Sequence, residues 1–202
     1  MGFLDGRRVA FVATDGAEMV ELTEPWAAVE QAGGVAEMIS VERGKIQGYD
    51  GMEPAGTFRV DGIAAEANAT SYDALVLPGG LANPDALRRD ENVIGFVCGF
   101  FEEGKPVAAI CHAPWVLIEA DVVRGRRLTS FPSIATDVRN AGGEWVDEAV
   151  CVDGGLVTSR SPADLDAFCA ALVEAFAQGP HERQTESIAP DPPEGPPGLR
   201  VA

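Results

Sequence analysis

Short apolar segments alternate with amphipathic ones along this chain. RRVAFVAT, DALVLPGG and PVAAICH are each short, rich in Val and Ala, and bounded by charged residues or glycine. Between the first two segments, Leu22, Trp26 and Val29 recur at helical spacing, and Gly33 then provides a stop signal. Buried strands that alternate with amphipathic helices are typical of βαβ units, so the pattern predicts an α/β fold with a mostly parallel sheet.

The rest of the chain divides into a domain and a tail. Residues 44–69 are dotted with glycine and predict a short antiparallel excursion, and AVCVDGGLVTS predicts a late hairpin. Ser161-Pro162 opens a last helix that ends near Gly179. We therefore expect a single domain over residues 1–178. Residues 179–202 are rich in proline and charge and poor in large apolar side chains, which predicts a disordered tail.

Charge and cysteine usage narrow the possible partners and compartment. The formal net charge is -17, from 15 basic and 32 acidic residues. Such a surface repels phosphate backbones and anionic lipid headgroups, so we expect no nucleic acid and no membrane partner. The four cysteines form no CxxC pair, and the first residues contain no apolar run of signal-peptide length. Both features favour reduced thiols and a cytoplasmic location.

The segment PVAAICHAPW carries the strongest chemical signal. A buried strand runs into Cys111 and then directly into a helix that begins near His112. This order predicts a nucleophile elbow at the carboxyl edge of the sheet, with the thiol at a helix N-terminus that lowers its pKa. We therefore expect Cys111 to be substantially thiolate. The alternative is a buried structural cysteine, which is our interpretation of Cys98, Cys151 and Cys169.

Several segments together resemble the PfpI family of the ThiJ and class I glutamine amidotransferase-like superfamily. They are AICHAPW, the stretch from DVVRGRRLTSFPS to SRSPADL, EMVELTEPW and ALVLPGG, and the resemblance covers residues 7 to 177. It implies a flavodoxin-like three-layer sandwich that works as a homodimer or larger homo-oligomer. It also implies a nucleophile on an A-I-C-H-G-P elbow, in which Ala113 here replaces the usual glycine.

The resemblance also implies a partner for the thiol and an oxyanion hole. Glu18 matches the family's glutamate beside the nucleophile, where a protonated carboxyl would tune the sulfur. The alternative for Glu18 is an exposed glutamate at a helix start, which is also our interpretation of Glu21. Gly79 and Gly80 match a glycine pair whose N–H groups could form the oxyanion hole, and no GK[ST] follows them as in a phosphate loop.

The resemblance also implies a general base for the nucleophile. In PfpI-type peptidases the histidine after the nucleophile has this role and is oriented by a glutamate of a neighbouring subunit. His112 matches the histidine, and Asp85 matches the glutamate with a side chain one methylene shorter and a preceding loop one residue longer. The alternative is a purely structural His112.

Three function classes remain open. The first is a thiol hydrolase in which Cys111 attacks a carbonyl, either of a peptide or of a small carbonyl or glycated adduct, as in deglycase and glyoxalase-like chemistry. The second is a cysteine redox sensor and the third a chaperone-like protein without turnover. A glutamine amidotransferase would need a downstream histidine, but His181 lies in the predicted tail. With two histidines and scattered thiols, we expect no metal and no cofactor.

Overall fold

A seven-stranded, mostly parallel sheet organises the protein. The computed structural model describes residues 2–186. The strand order is β11-β12-β8-β7-β1-β3-β6, and every pairing in this sheet is parallel except that of β11 with β12. Helices pack on both faces, so the predicted α/β flavodoxin-like sandwich is confirmed. The strands are β1 (Arg8–Val12), β2 (Ala17–Glu18), β3 (Val35–Ser40), β4 (Lys45–Asp50), β5 (Glu53–Arg59), β6 (Gly62–Ile63), β7 (Ala74–Leu77), β8 (Val107–Ile110), β9 (Arg127–Leu128), β10 (Glu144–Trp145), β11 (Val150–Asp153) and β12 (Leu156–Ser159).

The helices lie between the strands, as the alternation of apolar and amphipathic segments predicts. The long segment after ALVLPGG forms two helices, and Asp90 caps the second through its carboxylate, which accepts from the N–H groups of Asn92 and Val93. No helix within residues 2–186 combines the length and the apolar character needed to cross a membrane. The helices are α1 (Met19–Gln31), α2 (Ala82–Leu87), α3 (Glu91–Glu102), α4 (Pro114–Glu119), α5 (Ala135–Asn140), α6 (Leu165–Gln178) and α7 (Glu182–Glu186).

Two apolar cores lie on opposite faces of the sheet because successive strand residues point in opposite directions. In β1, Val9 and Phe11 pack with side chains of α1 and α6, whereas Ala10 and Val12 pack with side chains of α3 and α4. All four residues are fully buried. A strand buried on both faces reads as a continuous apolar run, which is the pattern the sequence shows.

The loops that follow the parallel strands meet at one edge of the sheet. Asn83, fully buried at the start of α2, holds two of these loops together. Its Oδ1 accepts from the N–H of Thr14 after β1, and its Nδ2 donates to the carbonyls of Pro78 and Gly79 after β7. Cys111 follows β8 at the same edge.

The predicted antiparallel excursion is present as a hairpin of β4 and β5. Its first strand also pairs with β2, which places Glu18 opposite Tyr49. The tip of the hairpin, at Gly51 and Met52, therefore lies near the start of α1 and near the loop edge of the sheet.

The predicted tail needs a correction over its first residues. The segment after α6 contains α7, and Gln184 in this helix is fully buried. Gln184 accepts from the guanidinium of Arg126 through Oε1 and donates to the carbonyl of Lys105 through Nε2. Buried polar contacts of this kind hold residues 180–186 against the domain, so the domain extends past residue 178. The rest of the predicted tail, residues 187–202, lies outside the described residues.

Candidate active site

The backbone at Cys111 has the conformation of a nucleophile elbow. Its φ is +64°, in the left-handed region that non-glycine residues avoid at a cost of about 1–3 kcal/mol. Two hydrogen bonds maintain it: the Cys111 N–H donates to the Ser159 carbonyl at 3.0 Å, and the Cys111 carbonyl accepts from the Phe131 N–H at 2.8 Å. Strain retained in this way is typical of functional turns, and it points the side chain away from the strand.

The side chain of His112 turns back toward the sulfur. Its Nδ1 lies 3.2 Å from Cys111 Sγ, and its Nε2 lies 3.0 Å from Ser133 Oγ. The ring stacks on Phe131, with 4.7 Å between the ring centroids. Burial lowers the pKa of His112 below its ordinary value, so the imidazole is neutral at pH 7 and can accept a proton. Side chains of adjacent residues rarely converge so closely, yet these two lie within hydrogen-bond reach, as the base role that the resemblance implies for His112 requires.

A buried carboxyl lies beside the thiol, and it belongs to Glu21. Glu21 is fully buried in the first turn of α1, and its Oε2 accepts from the Gly79 N–H at 3.1 Å. Its Oε1 is buried without a hydrogen-bond partner among residues 2–186. Burial raises the pKa of Glu21 to about 8, although the contact with the Cys111 thiol acts in the opposite direction. The carboxyl therefore keeps its proton at neutral pH.

The expected place of Glu18 beside the thiol is wrong. Glu18 belongs to β2, and its carboxylate accepts from the Gly51 N–H at 3.1 Å, at the tip of the neighbouring hairpin. The interpretation of Glu21 as an exposed glutamate is also wrong. Because α1 begins at Met19, Glu18 precedes the helix, and the first glutamate on its buried face is Glu21. The spacing of Glu21, Pro25 and Val29, all buried, was the available signal.

The pKa of Cys111 also departs from expectation. The residue is 7% exposed, and burial raises the pKa of its thiol, as does the negative charge that Glu21 carries when ionised. The N–H groups of Gly80 and His112 lower it, but less strongly. The strand-to-helix junction in the sequence predicts a thiolate at a helix N-terminus. The thiol is instead neutral at pH 7, because desolvation next to an acid outweighs the backbone donors.

The two glycines after β7 have different surroundings. The N–H of Gly79 is engaged by Glu21, and a Cβ at Gly79 would lie only 2.5 Å from Cys111 Cβ. The N–H of Gly80 faces the Cys111 sulfur, and its φ of +84° favours glycine. Gly80 and His112 therefore present their N–H groups at the thiol, and Gly79 allows the close approach of Glu21 to it.

Within one chain, Asp85 pairs with Arg88. Its Oδ1 accepts two hydrogen bonds from Arg88, at 2.8 and 3.1 Å, and the Arg88 guanidinium lies 4.9 Å from the centroid of the Trp115 ring. The expectation for Asp85 concerned a neighbouring subunit, so it stays a prediction.

A groove of 460 Å³ reaches Trp115 of α4, and its lining does not include Cys111 or His112. The ring of Trp115 forms part of its wall and lies 5.3 Å from the His112 ring. Apolar and acidic side chains share the lining, so the groove suits a small substrate with an apolar portion and a neutral or positive one. The lining side chains are Asp15, Tyr49, Met52, Leu81, Ala82, Asp85 and Trp115.

Comparison with known proteins identifies the family of this chain. Residues 7–175 match the model of the DJ-1/PfpI family, which is most of the chain. The chain belongs to the DJ-1/PfpI family. The resemblance inferred from AICHAPW and its companion segments is thereby confirmed.

Named relatives in the DJ-1/PfpI family include enzymes. The chain is 44% identical over 167 residues to "Deglycase PH1704" of Pyrococcus horikoshii, a match that covers 83% of this chain and 98% of the relative. It is 42% identical over 163 residues to "Protein/nucleic acid deglycase 2" of Escherichia coli, covering 80% and 93% of the two chains. Among solved structures, Drosophila melanogaster DJ-1beta superposes with a TM-score of 0.77 at 27% identity, covering 90% and 95%.

Sequence reasoning also missed one neighbour of the DJ-1/PfpI cysteine–histidine pair. Ser133 lies in a short 3-10 turn, Pro132–Ile134, more than twenty residues after the elbow. A single serine in FPSIA carries no periodic or spacing signal, and only the fold brings it to His112.

Proposed function

We propose that this protein is a thiol-dependent hydrolase of small carbonyl adducts on amines, a deglycase-type activity with Cys111 as nucleophile. One observation supports the proposal most directly: Cys111 Sγ lies 3.2 Å from the neutral His112 Nδ1 on a left-handed elbow. A thiol within hydrogen-bond reach of an unprotonated base needs no preformed thiolate, because the proton leaves as the nucleophile attacks.

The first step then follows from the geometry. Cys111 Sγ forms a bond to the substrate carbonyl carbon while its proton passes to His112 Nδ1. The π electrons of the carbonyl move to its oxygen, and the N–H groups of Gly80 and His112 are the donors available to receive the negative charge. For a methylglyoxal hemiaminal, the carbonyl that Cys111 attacks is the aldehyde that forms as the C–N bond breaks and the carbinol O–H proton leaves with the amine. In the resulting hemithioacetal, the proton on the former aldehyde carbon then moves to the adjacent ketone through an enediol, which gives a lactoyl thioester on Cys111. Water cleaves this thioester to lactate and restores the Cys111 thiol.

Glu21 supports this step by staying neutral. An ionised carboxylate beside the sulfur would oppose both the developing thiolate and the oxyanion. Because the pKa of Glu21 is about 8, the carboxyl is protonated under neutral conditions and can donate to the charged sulfur or to an adduct on it. Glu21 thus takes the tuning role that the resemblance implies for Glu18.

The choice of a carbonyl adduct over a peptide rests on the relatives and on the groove. Relatives that match over nearly their full length are named deglycases. A groove of 460 Å³ suits a side-chain adduct better than an extended chain. A peptidase would use the same attack step, so a chromogenic peptide amide is the matched alternative substrate.

Turnover of a purified adduct tests the proposal. The methylglyoxal adduct of Nα-acetyllysine would be incubated with the enzyme in phosphate buffer, and the released amine and lactate quantified by mass spectrometry; adduct plus water gives amine plus lactate. Cys111→Ser should abolish release, and Cys98→Ser, at a half-buried thiol of α3, should not. Release that never exceeds the spontaneous dissociation of the adduct would instead indicate a glyoxalase-like enzyme acting on free aldehyde.

The redox-sensor alternative has less support. Sensor cysteines are accessible thiolates, whereas Cys111 is 7% exposed and burial raises its pKa. Reversible oxidation of Cys111 by low peroxide, with no turnover of either the adduct or the peptide, would overturn the hydrolase proposal in favour of the sensor.

A further inference from the structure

His112 has a second partner that the expected mechanism does not include. Its Nε2 lies 3.0 Å from Ser133 Oγ, on the side of the ring opposite the sulfur. We propose that Ser133 is the positioning residue of His112: its hydroxyl accepts from Nε2–H and thereby keeps Nδ1 unprotonated toward Cys111 Sγ. This inference rests on the proposed function in one respect only, the use of His112 as base.

The chemistry of the two nitrogens requires such a partner. A neutral imidazole carries one proton, and the ring nitrogen without it is the base. If Nδ1 is to accept the thiol proton, then Nε2 must hold the ring proton, and a hydrogen-bond acceptor at Nε2 favours that tautomer. The Ser133 hydroxyl oxygen is such an acceptor.

The loop that carries Ser133 is fixed to the nucleophile. The Phe131 N–H donates to the carbonyl of Cys111 at 2.8 Å, and the Ile134 N–H closes the turn onto the Phe131 carbonyl at 3.1 Å. Phe131 itself stacks on the His112 ring at an interplanar angle of 23°. Phe131 therefore sets the plane of the imidazole, and Ser133 sets its rotation within that plane.

Asp85 is a poorer candidate for this task. Its carboxylate already accepts two hydrogen bonds from Arg88, whose guanidinium packs on Trp115. To orient His112 from a second copy, Asp85 would have to leave or share this pair and also displace or join Ser133. Ser133 lies in the same chain as His112 and is already in contact with it, so the base can be oriented without a second subunit.

The imidazole tautomer gives a direct test. The chain contains two histidines, so ¹⁵N NMR of labelled protein resolves His112 with His181 as an internal reference. The native protein should show mainly the Nε2–H form, and Ser133→Ala should shift the tautomer ratio about five-fold toward Nδ1–H, the effect expected for one neutral hydrogen bond. Ser133→Thr should restore the native ratio, and Asp85→Asn should leave it unchanged.

Kinetics provide the second readout. Ser133→Ala should lower kcat about five-fold with KM within about two-fold, because Ser133 Oγ also accepts from the imidazolium that forms as His112 takes the thiol proton, and this contact strengthens only after the substrate has bound. Ser133→Thr should recover kcat. Ser71→Ala is the matched control, since this exposed serine precedes β7 at the opposite edge of the sheet.

The outcomes separate the two proposals. If Ser133→Ala leaves the tautomer unchanged while His112→Ala is inactive, Ser133 is only a surface hydroxyl and this inference is overturned alone. If Asp85→Asn moves the tautomer and Ser133→Ala does not, the orienting group is a carboxylate of a second copy. If the tautomer responds to Ser133→Ala but His112→Ala keeps full turnover, the contact is real and the base assignment fails.

Discussion

Glu21→Gln should gain stability relative to the native protein as the pH rises toward neutrality. The native carboxyl is fully buried and has a pKa of about 8, whereas the ordinary value is 4.5. The unfolded chain therefore loses its proton near pH 4.5, but the folded protein keeps it until about pH 8. A group with a raised acid pKa stabilises the fold less as the pH rises between these values, so Glu21 weakens the protein across the neutral range.

The magnitude follows from the two pKa values. Each pH unit between them lowers the free energy of unfolding by about 1.4 kcal/mol. From about pH 5.5 to about pH 7.5 the loss amounts to about 2–3 kcal/mol, with the upper end reduced because the folded carboxyl begins to ionise. A glutamine has the same shape and can still accept from the Gly79 N–H, but it does not titrate.

Urea unfolding at both pH values measures this difference. The quantity to compare is the difference in the free energy of unfolding between Glu21→Gln and the native protein, called here the gap. Because any pH-independent cost of the amide contributes equally to the gap at both pH values, the change in the gap isolates the ionisation of Glu21. Glu24→Gln, at an exposed position of the same helix, is the matched control and should show no such change. A gap for Glu21→Gln that stays within about 0.5 kcal/mol between the two pH values would refute a raised pKa for Glu21.

Three further predictions concern the thiol, the glycine beside it and the last helix. Iodoacetamide should alkylate Cys111 more slowly than a free thiol at pH 7, with the rate still rising above pH 9, because burial raises its pKa; a plateau below pH 7 would contradict this. Gly79→Ala should destabilise by about 1–3 kcal/mol in thermal unfolding, since its Cβ would crowd Cys111 and Glu21, whereas Gly95→Ala, with open space around it, should not. Gln184→Ala should cost about 1–3 kcal/mol in urea unfolding through the lost contacts with Arg126 and Lys105; an unchanged midpoint would mean that α7 is only loosely attached.

The sequence predicts those features whose signals are local. The continuous apolar runs predict the parallel sheet, and the strand-to-helix junction at Cys111 predicts the elbow, because both depend on neighbouring residues. The identity of the buried glutamate depends on where α1 begins, and the short pairing of β2 with β4 delays that start to Met19. Resemblance matched Glu18 by its position in the motif, but the helix phase turns Glu21 inward.

Other features depend on contacts between distant segments. Ser133 reaches His112 because a backbone hydrogen bond ties Phe131 to Cys111. Residues 180–186 look like a polar tail, yet Gln184 is buried because Arg126, far earlier in the chain, presents its guanidinium there. Such partners are set by the folded topology and leave no periodic pattern.

The strand order bears on when the site can assemble during synthesis. Strand β8 lies between β7, which precedes it in the chain, and β12, which is made almost fifty residues later. The Cys111 N–H is bound by the carbonyl of Ser159, the last residue of β12. A nascent chain that has emerged only through α5 thus contains Cys111 and His112 but lacks the strand that holds the left-handed turn. The ribosome must release most of the domain before the cysteine reaches its working geometry.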